Sequence, residues 1–82
     1  MSTVGPPPHF RGQPVIIHFI GRMPNARIVQ AGIGALVDRL NAEGGTLDDL
    51  LEEVPTVVGR YGLVARLAGV SIDRIEFDIT WR

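Results

Sequence analysis

The side chains that most often carry acid–base or nucleophilic catalysis are scarce in this chain. It contains two histidines and no cysteine, which excludes thiol catalysis, disulfide bonds and thiolate metal ligands. His9 lies near a proline-rich start, and His18 lies in an apolar run, where a hydrogen-bonded structural role is commoner than that of a base or metal ligand. Neither Ser2 nor Ser71 stands in a nucleophile-elbow motif. We therefore expect no catalytic residue and no enzymatic activity.

Four acidic residues stand close together in the middle of the chain: Asp48, Asp49, Glu52 and Glu53. Closely spaced carboxylates can bind a cation, but a calcium loop also needs interleaved turn residues and a glycine bend. This stretch lacks both, and its pattern is typical of the solvated side of a short helix. The glycine pair Gly32 and Gly34 fails as a dinucleotide fingerprint, because Val37 occupies the position of the third glycine. We expect neither a metal site nor a bound cofactor.

All the cationic side chains are arginines, and they are unevenly distributed. The chain has eight arginines, no lysine and a net charge of −1. Residues 1–27 carry three arginines and no acid, whereas residues 28–53 carry one arginine and six acids. Guanidinium groups suit planar contacts with phosphate, although a biased genome composition would produce the same preference. The candidates for nucleic-acid binding are Arg11, Arg22, Arg27, Arg60 and Arg66.

A small number of secondary-structure elements must position these residues. A strand is predicted from Gln13, because residues 14–20 are rich in β-branched side chains and apolar on both faces. A helix over residues 26–43 is predicted by apolar residues at helical spacing, with Gly44 as its C-terminal cap. Gly32 and Gly34 weaken its first part, which leaves open a start near Ile33 with residues 27–29 extended. Thr46 then begins a second helix as its N-cap, with Asp49 in a capping-box position.

A third helix is expected after Pro55, which suits a first helical turn. Apolar residues continue at helical spacing from Val57 to Ala68, and Gly69 would end the helix. The last residues, 74–82, alternate apolar and polar side chains, which predicts a strand with one buried face. The candidate partner-binding residues come from this strand and the third helix: Phe77, Ile79, Trp81 and Tyr61.

Three helices flanked by an N-terminal and a C-terminal strand predict an α+β fold of winged-helix type. Two strands alone are marginal in water, so we expect them to share a sheet in a homodimer. Residues 1–9 are expected to form a flexible proline-rich tail, and residues 10–82 a single domain. The chain shows no signal peptide and no apolar run long enough to span a membrane, which predicts a cytoplasmic protein.

Several short motifs resemble those of small VapB-type antitoxins. They are GQPVI at residues 12–16, GRMP at 21–24, LVDRLNAEG at 36–44 and TLDDLLEEVP at 46–55. The resemblance covers roughly residues 12–68 and implies a winged-helix-like dimer that neutralises a ribonuclease toxin and can repress its own promoter. Residues 17–20 lengthen the first motif, Val54 replaces the usual tyrosine, and the C-terminal strand has no counterpart.

The residues and the resemblance together predict a small non-enzymatic binding protein, antitoxin-like or a transcriptional regulator, that acts as a dimer with a toxin or DNA as partner. Of these two partners, DNA is the less well supported, because the predicted third helix begins with apolar residues where a recognition helix offers polar ones. The alternative is a structural or accessory subunit that docks through its C-terminal strand. DNA binding that falls steeply with salt would favour the regulator. Loss of a protein partner on replacing Phe77 or Trp81 by alanine would favour the accessory subunit.

Overall fold

The N-terminal apolar run and the alternating C-terminal segment lie side by side as parallel strands in the middle of a four-stranded sheet. The computed structural model describes residues 6–82. Its elements are β1 (His9–Phe10), β2 (Gln13–Phe19), α1 (Ala26–Glu43), α2 (Leu47–Gly59), β3 (Leu63–Val70) and β4 (Ile75–Trp81). The strand order is β1-β2-β4-β3, with β2 and β4 parallel and both outer pairs antiparallel.

Strand β4 shows why one face of the sheet carries the helices. Ile75, Phe77 and Ile79 are buried, whereas the side chains between them point to the other face, since a strand alternates its side chains. Residues of α1 and α2 pack on the buried set and form one core. The core residues are Phe10, Val15, Met23, Val29, Ile33, Leu36, Val37, Leu40, Leu50, Val54, Val58, Leu63, Ile75, Phe77 and Ile79.

Strands β1 and β2 form a hairpin with a two-residue turn. Both turn residues have positive φ, 52° at Arg11 and 85° at Gly12, which matches the twist of the flanking strands. The carbonyl of Pro8 also accepts a hydrogen bond from the N–H of Val15 at 2.8 Å. His9, expected to belong to a flexible tail, is paired with Pro14, while the first five residues of that tail lie outside the described part of the chain.

The two helix ends predicted between α1 and α2 are confirmed. Gly44 follows α1 in the left-handed conformation, with φ of 70°. At the start of α2, the hydroxyl of Thr46 accepts a hydrogen bond from the N–H of Asp49 at 3.2 Å, and the Asp49 carboxylate accepts one from the N–H of Thr46 at 2.9 Å. This capping box satisfies two backbone donors that the helix would leave free.

The expected third helix is wrong, and so is the winged-helix-type architecture built on it. Helix α2 continues through Pro55 to Gly59, and residues 63–70 form β3. Gly62, with φ of 74°, ends the helical path. The segment then satisfies its backbone groups by pairing with β4, and such tertiary pairing overrides a helical spacing of apolar residues. The α+β class holds, with two helices and four strands.

The expected pairing of the N-terminal strand with the C-terminal strand is confirmed within one chain, as β2 and β4, while the homodimer stays a prediction. Strand β4 pairs with β2 on one side and with β3 on the other, so neither of its sides waits for a second copy. No helix in residues 6–82 is long and apolar enough to cross a membrane.

Candidate functional site

The parallel arrangement of β2 and β4 brings three chain segments to one end of the molecule. Both strands finish there, and the N–H of Ile20 donates to the carbonyl of Ile79 at 2.9 Å. Strand β3 begins there, with Leu63 opposite Trp81. Helix α2 ends immediately before β3, and α1 starts after the loop that leaves β2. We call this region the arginine end, because it carries Arg22, Arg27, Arg60 and Arg82.

The arginine end is positively charged without compensation by side chains. Its segments, residues 19–27, 57–65 and 79–82, contain these four arginines and no aspartate or glutamate. All four arginines are exposed, and within residues 6–82 none of them forms an ion pair. Exposed guanidinium groups clustered in this way create a positive potential that attracts anions.

Trp81 lies within this cluster in a defined orientation. Its indole N–H donates to the carbonyl oxygen of Arg22 at 2.9 Å, which ties the end of β4 to the loop after β2. The side chain nevertheless stays 49% exposed. An aromatic ring held in place and half open to solvent can stack on a flat ligand without a large loss of conformational freedom.

Two helix ends of opposite polarity lie at the arginine end: the start of α1 carries a positive partial charge, and the end of α2 a negative one. Helix α1 starts there with no acidic residue in its first turn, and its N-cap, Asn25, makes no capping hydrogen bond. The buried Oδ1 atom of Asn25 has no hydrogen-bond partner in the described part of the chain. At the end of α2, the Arg82 guanidinium lies 4.0 Å from where a Cβ of Gly59 would stand, a favourable site for a cation beside a helix C-terminus.

Three of the four arginines elsewhere in residues 6–82 have polar partners, and the fourth, Arg66, has none. Arg39 pairs with Glu43 at 3.3 Å and also contacts Glu53. Arg74 lies 3.6 Å from Glu76. The guanidinium of Arg11 donates to the carbonyl of Gly44 at 3.2 Å. The arginine end therefore differs from the rest of the described surface in carrying four guanidinium groups without an ion pair, whereas Arg66 is a single such group on β3.

The structure brings together only part of the predicted nucleic-acid set. Arg22, Arg27 and Arg60 meet at the arginine end. Arg11 lies at the opposite end, beside the junction of α1 and α2, and Arg66 lies in the middle of β3, opposite Asp78. Arg82 was missed by the sequence prediction, since only the pairing of β4 with β3 brings it beside the end of α2.

The predicted partner-binding residues divide in the same way. Phe77 and Ile79 are 1% and 0% exposed, so they are core residues and offer no surface to a partner. Tyr61 is half-buried, with its hydroxyl near Gly32 of α1. Trp81 alone keeps a large exposed surface, and it lies at the arginine end.

The uncovered face of the sheet has charges that contact each other. His18 Nε2 lies 3.0 Å from the carboxylate of Glu76, and Glu76 in turn lies near Arg74. His18 and Glu76 lie on the neighbouring strands β2 and β4, and Arg74 immediately precedes β4. Such pairs are typical of a solvated sheet face.

No group of three or more histidine, aspartate or glutamate side chains in residues 6–82 is arranged to hold a metal ion. Comparison of the chain with protein-family models, with curated proteins and with solved structures finds no match in any of the three.

Proposed function

We propose that this chain is a non-enzymatic binding protein that binds single-stranded nucleic acid at its arginine end. The observation that carries the proposal is that four exposed arginines without ion pairs lie on the chain segments that meet at one end of the sheet, where the ring of Trp81 is half-exposed. Proteins that bind single strands combine a positive surface, which contacts the phosphates, with aromatic side chains, on which the bases stack. Both components occur here within one region.

Arginine is well suited to the phosphate part of this interaction. Its planar guanidinium group can donate two parallel hydrogen bonds to one phosphate. The indole of Trp81 donates to the backbone carbonyl of Arg22, so the Arg22 side chain starts from a point beside the ring and its guanidinium can reach a phosphate next to a base stacked there. This proximity favours a nucleotide chain over a simple anion.

The surface of the helices favours a single strand over a duplex. A helix that reads the major groove offers polar side chains to base edges. Among residues 26–35 of α1, Arg27 is the one exposed polar side chain; the other exposed residues there, Ile28, Ala31 and Ala35, offer none. Helix α2 carries Asp48 and Glu52 on its exposed side, and phosphates would repel these carboxylates.

Regulation of transcription and neutralisation of a toxin remain predictions. A regulator would bind duplex DNA, and an antitoxin would bind a nuclease. Neither can rest on a winged-helix frame, because residues 63–70 form a strand. Our proposal of single-strand binding rests on the arginine end alone, and it does not depend on whether the protein regulates transcription or neutralises a toxin.

Trp81 provides a direct probe, because it is the only tryptophan in the chain. We would titrate the protein with an oligothymidylate of about ten nucleotides, a length within the usual site size, and record the intrinsic fluorescence. Stacking of a base on the indole should quench the emission. Binding of a labelled oligonucleotide, measured by anisotropy, should weaken by about 1–3 kcal/mol in Trp81→Ala, the usual value of one stacked base.

The control variant is Arg66→Ala, which removes an exposed arginine that lies away from the arginine end. It should leave the affinity unchanged, whereas Arg22→Ala and Arg60→Ala should each lower it. An oligonucleotide that leaves the fluorescence unchanged would refute the proposal, as would a duplex of the same length that binds more tightly than the single strand.

A further inference from the structure

Strand β3 is an open edge of the sheet. It stands last in the strand order β1-β2-β4-β3, so only one of its sides is paired. We propose that this edge binds an extended, acid-bearing segment of another protein, which adds to the sheet as a fifth strand. This inference goes beyond the proposed nucleic-acid binding, and it uses different residues.

The backbone groups available to such a segment can be identified. The N–H of Arg82 donates to the carbonyl of Gly62 at 3.2 Å. Because antiparallel ladders alternate, Val64 and Arg66 also direct their backbone groups toward β4. Leu63, Ala65 and Leu67 therefore direct theirs outward. In the described part of the chain, no backbone hydrogen bond outside the β3–β4 ladder uses residues 63–67.

This edge has few of the features that protect natural edge strands. Such strands usually carry lysine, proline or several charges. β3 has neither lysine nor proline, and Arg66 is its one charged residue. Its irregularity between Leu67 and Gly69 interrupts the ladder only beyond residue 67. The five residues before it form a regular edge, long enough to accept a short strand.

The side chains along this edge indicate the chemistry of the added segment. Leu67 is 42% exposed on the side of the sheet that carries the helices, and an aliphatic side chain of the partner would cover it. On the other side stand Val64 and Arg66. Residues 59–72 contain two arginines and no acid. Arg66 stands opposite Asp78 of β4 but forms no ion pair with it, so an acidic side chain on the open side of Arg66 would meet a complementary charge.

A second copy of this chain fits the edge less well than a different protein. Two β3 strands side by side would bring basic strands together. The acidic strand, β4 with Glu76 and Asp78, is paired on both sides and cannot be added to another sheet. A segment of a different protein is therefore the occupant that we propose for this edge.

The test uses the full chain labelled with ¹⁵N and a synthetic peptide of alternating valine and glutamate. Added to the edge, this peptide should slow amide exchange at Leu63, Ala65 and Leu67, and it should shift their resonances more than those of the β1–β2 hairpin. Ala65→Pro removes an outward donor and keeps the bonds to β4. It should weaken binding at least tenfold. Circular dichroism of the free variant would verify that it folds.

A charge exchange keeps the test decisive if Ala65→Pro does not fold. Arg66→Glu should lower the affinity for the valine–glutamate peptide about threefold, as expected for a cross-strand charge pair. It should raise the affinity for a matched valine–lysine peptide by a similar factor. The proposal would be overturned if the amide resonances of β3 did not shift at millimolar concentrations of the valine–glutamate peptide. The proposal would also be overturned if the two peptides bound with equal affinity to the unmodified protein and to Arg66→Glu. Protection of the same amides by self-association, measured by sedimentation, would assign the edge to a second copy instead.

Discussion

Arg39 and Arg22 show how the surroundings of a residue decide its role. Arg39 lies between Glu43 and Glu53, and hydrogen bonding and charge attraction from Glu53 raise the pKa of its guanidinium above the ordinary value. That charge is already engaged in ion pairs. Arg22 forms no ion pair in the described part of the chain. A phosphate would therefore compete with carboxylates at Arg39 and meet no competitor at Arg22.

Phe77 is the residue on which the packing of β4 most depends. It is 1% exposed in the core between the sheet and the helices. Phe77→Ala should lower the free energy of unfolding by about 3–5 kcal/mol, because it removes a buried ring and leaves a cavity. Chemical denaturation measures this change. The matched variant Val64→Ala, on the uncovered face, should change stability by about 0.5 kcal/mol or less, and equal effects of the two would contradict the assignment of Phe77 to the core.

The helices differ in how their first turns are stabilised. Helix α2 begins with the capping box of Thr46 and Asp49, which locates its start from local chemistry alone. Helix α1 begins at Asn25 without a side-chain cap. Its position therefore depends on the packing of residues such as Val29 and Ile33.

Replacement of the N-cap of α2 should have a measurable cost. Thr46→Ala removes the acceptor for the N–H of Asp49 and should lower stability by about 1 kcal/mol. The midpoint of urea denaturation reports this directly. Thr56→Ala, in the exposed interior of the same helix, should leave stability unchanged or raise it slightly. A loss as large as that of Thr46→Ala would show that the effect does not come from capping.

The turn between β3 and β4 contains a carboxylate whose titration depends on a neighbouring hydroxyl. Ser71 Oγ donates to Asp73 Oδ1 at 2.6 Å, and this bond, with a backbone N–H and the charge of Arg74, lowers the pKa of Asp73 below its ordinary value. The stabilisation is therefore fully present above the pKa of Asp73 in the unfolded chain. It is lost as the pH falls through the lower pKa of the folded protein.

Removal of that hydroxyl should reverse the shift. In Ser71→Ala, the pKa of Asp73 should rise toward its ordinary value, since the largest cause of the lowering is gone. An NMR titration that follows the carboxyl carbon of Asp73 measures this pKa. Ser71→Thr keeps a hydroxyl and should retain most of the shift. An unchanged pKa in Ser71→Ala would mean that the contact does not persist in solution.

On the scale of the whole molecule, the net charge of −1 conceals a strong separation of charge. The arginine end is positive, and the junction of α1 and α2 at the opposite end carries most of the acids: Glu43, Asp48, Asp49, Glu52 and Glu53. An asymmetric charge distribution orients a charged ligand as it approaches. A nucleic acid would thus be attracted to one end and repelled from the other.

The salt dependence of nucleic-acid binding should report how many arginines contact phosphates. For a single strand, the logarithm of the binding constant falls with the logarithm of salt concentration with a slope of about −0.7 for each phosphate contact. Four contacts at the arginine end give a slope of about −3. The double variant Arg22→Ala, Arg60→Ala should reduce its magnitude by about 1.4. Anisotropy titrations at several salt concentrations measure the slope, and an unchanged value would place the phosphates elsewhere.

The amino-acid sequence by itself determined the elements whose signals are local. The alternation of residues 75–81 predicted β4, the helical spacing and Gly44 predicted α1, and Thr46 with Asp49 predicted the start of α2. Tertiary structure decided β3, because the apolar residues of that segment suit a helix or a strand, and only the unpaired side of β4 selects between them. It also decided which predicted arginines meet: Arg22, Arg60 and Arg82 are far apart in sequence and become neighbours because β2 and β4 run parallel while β3 returns beside them.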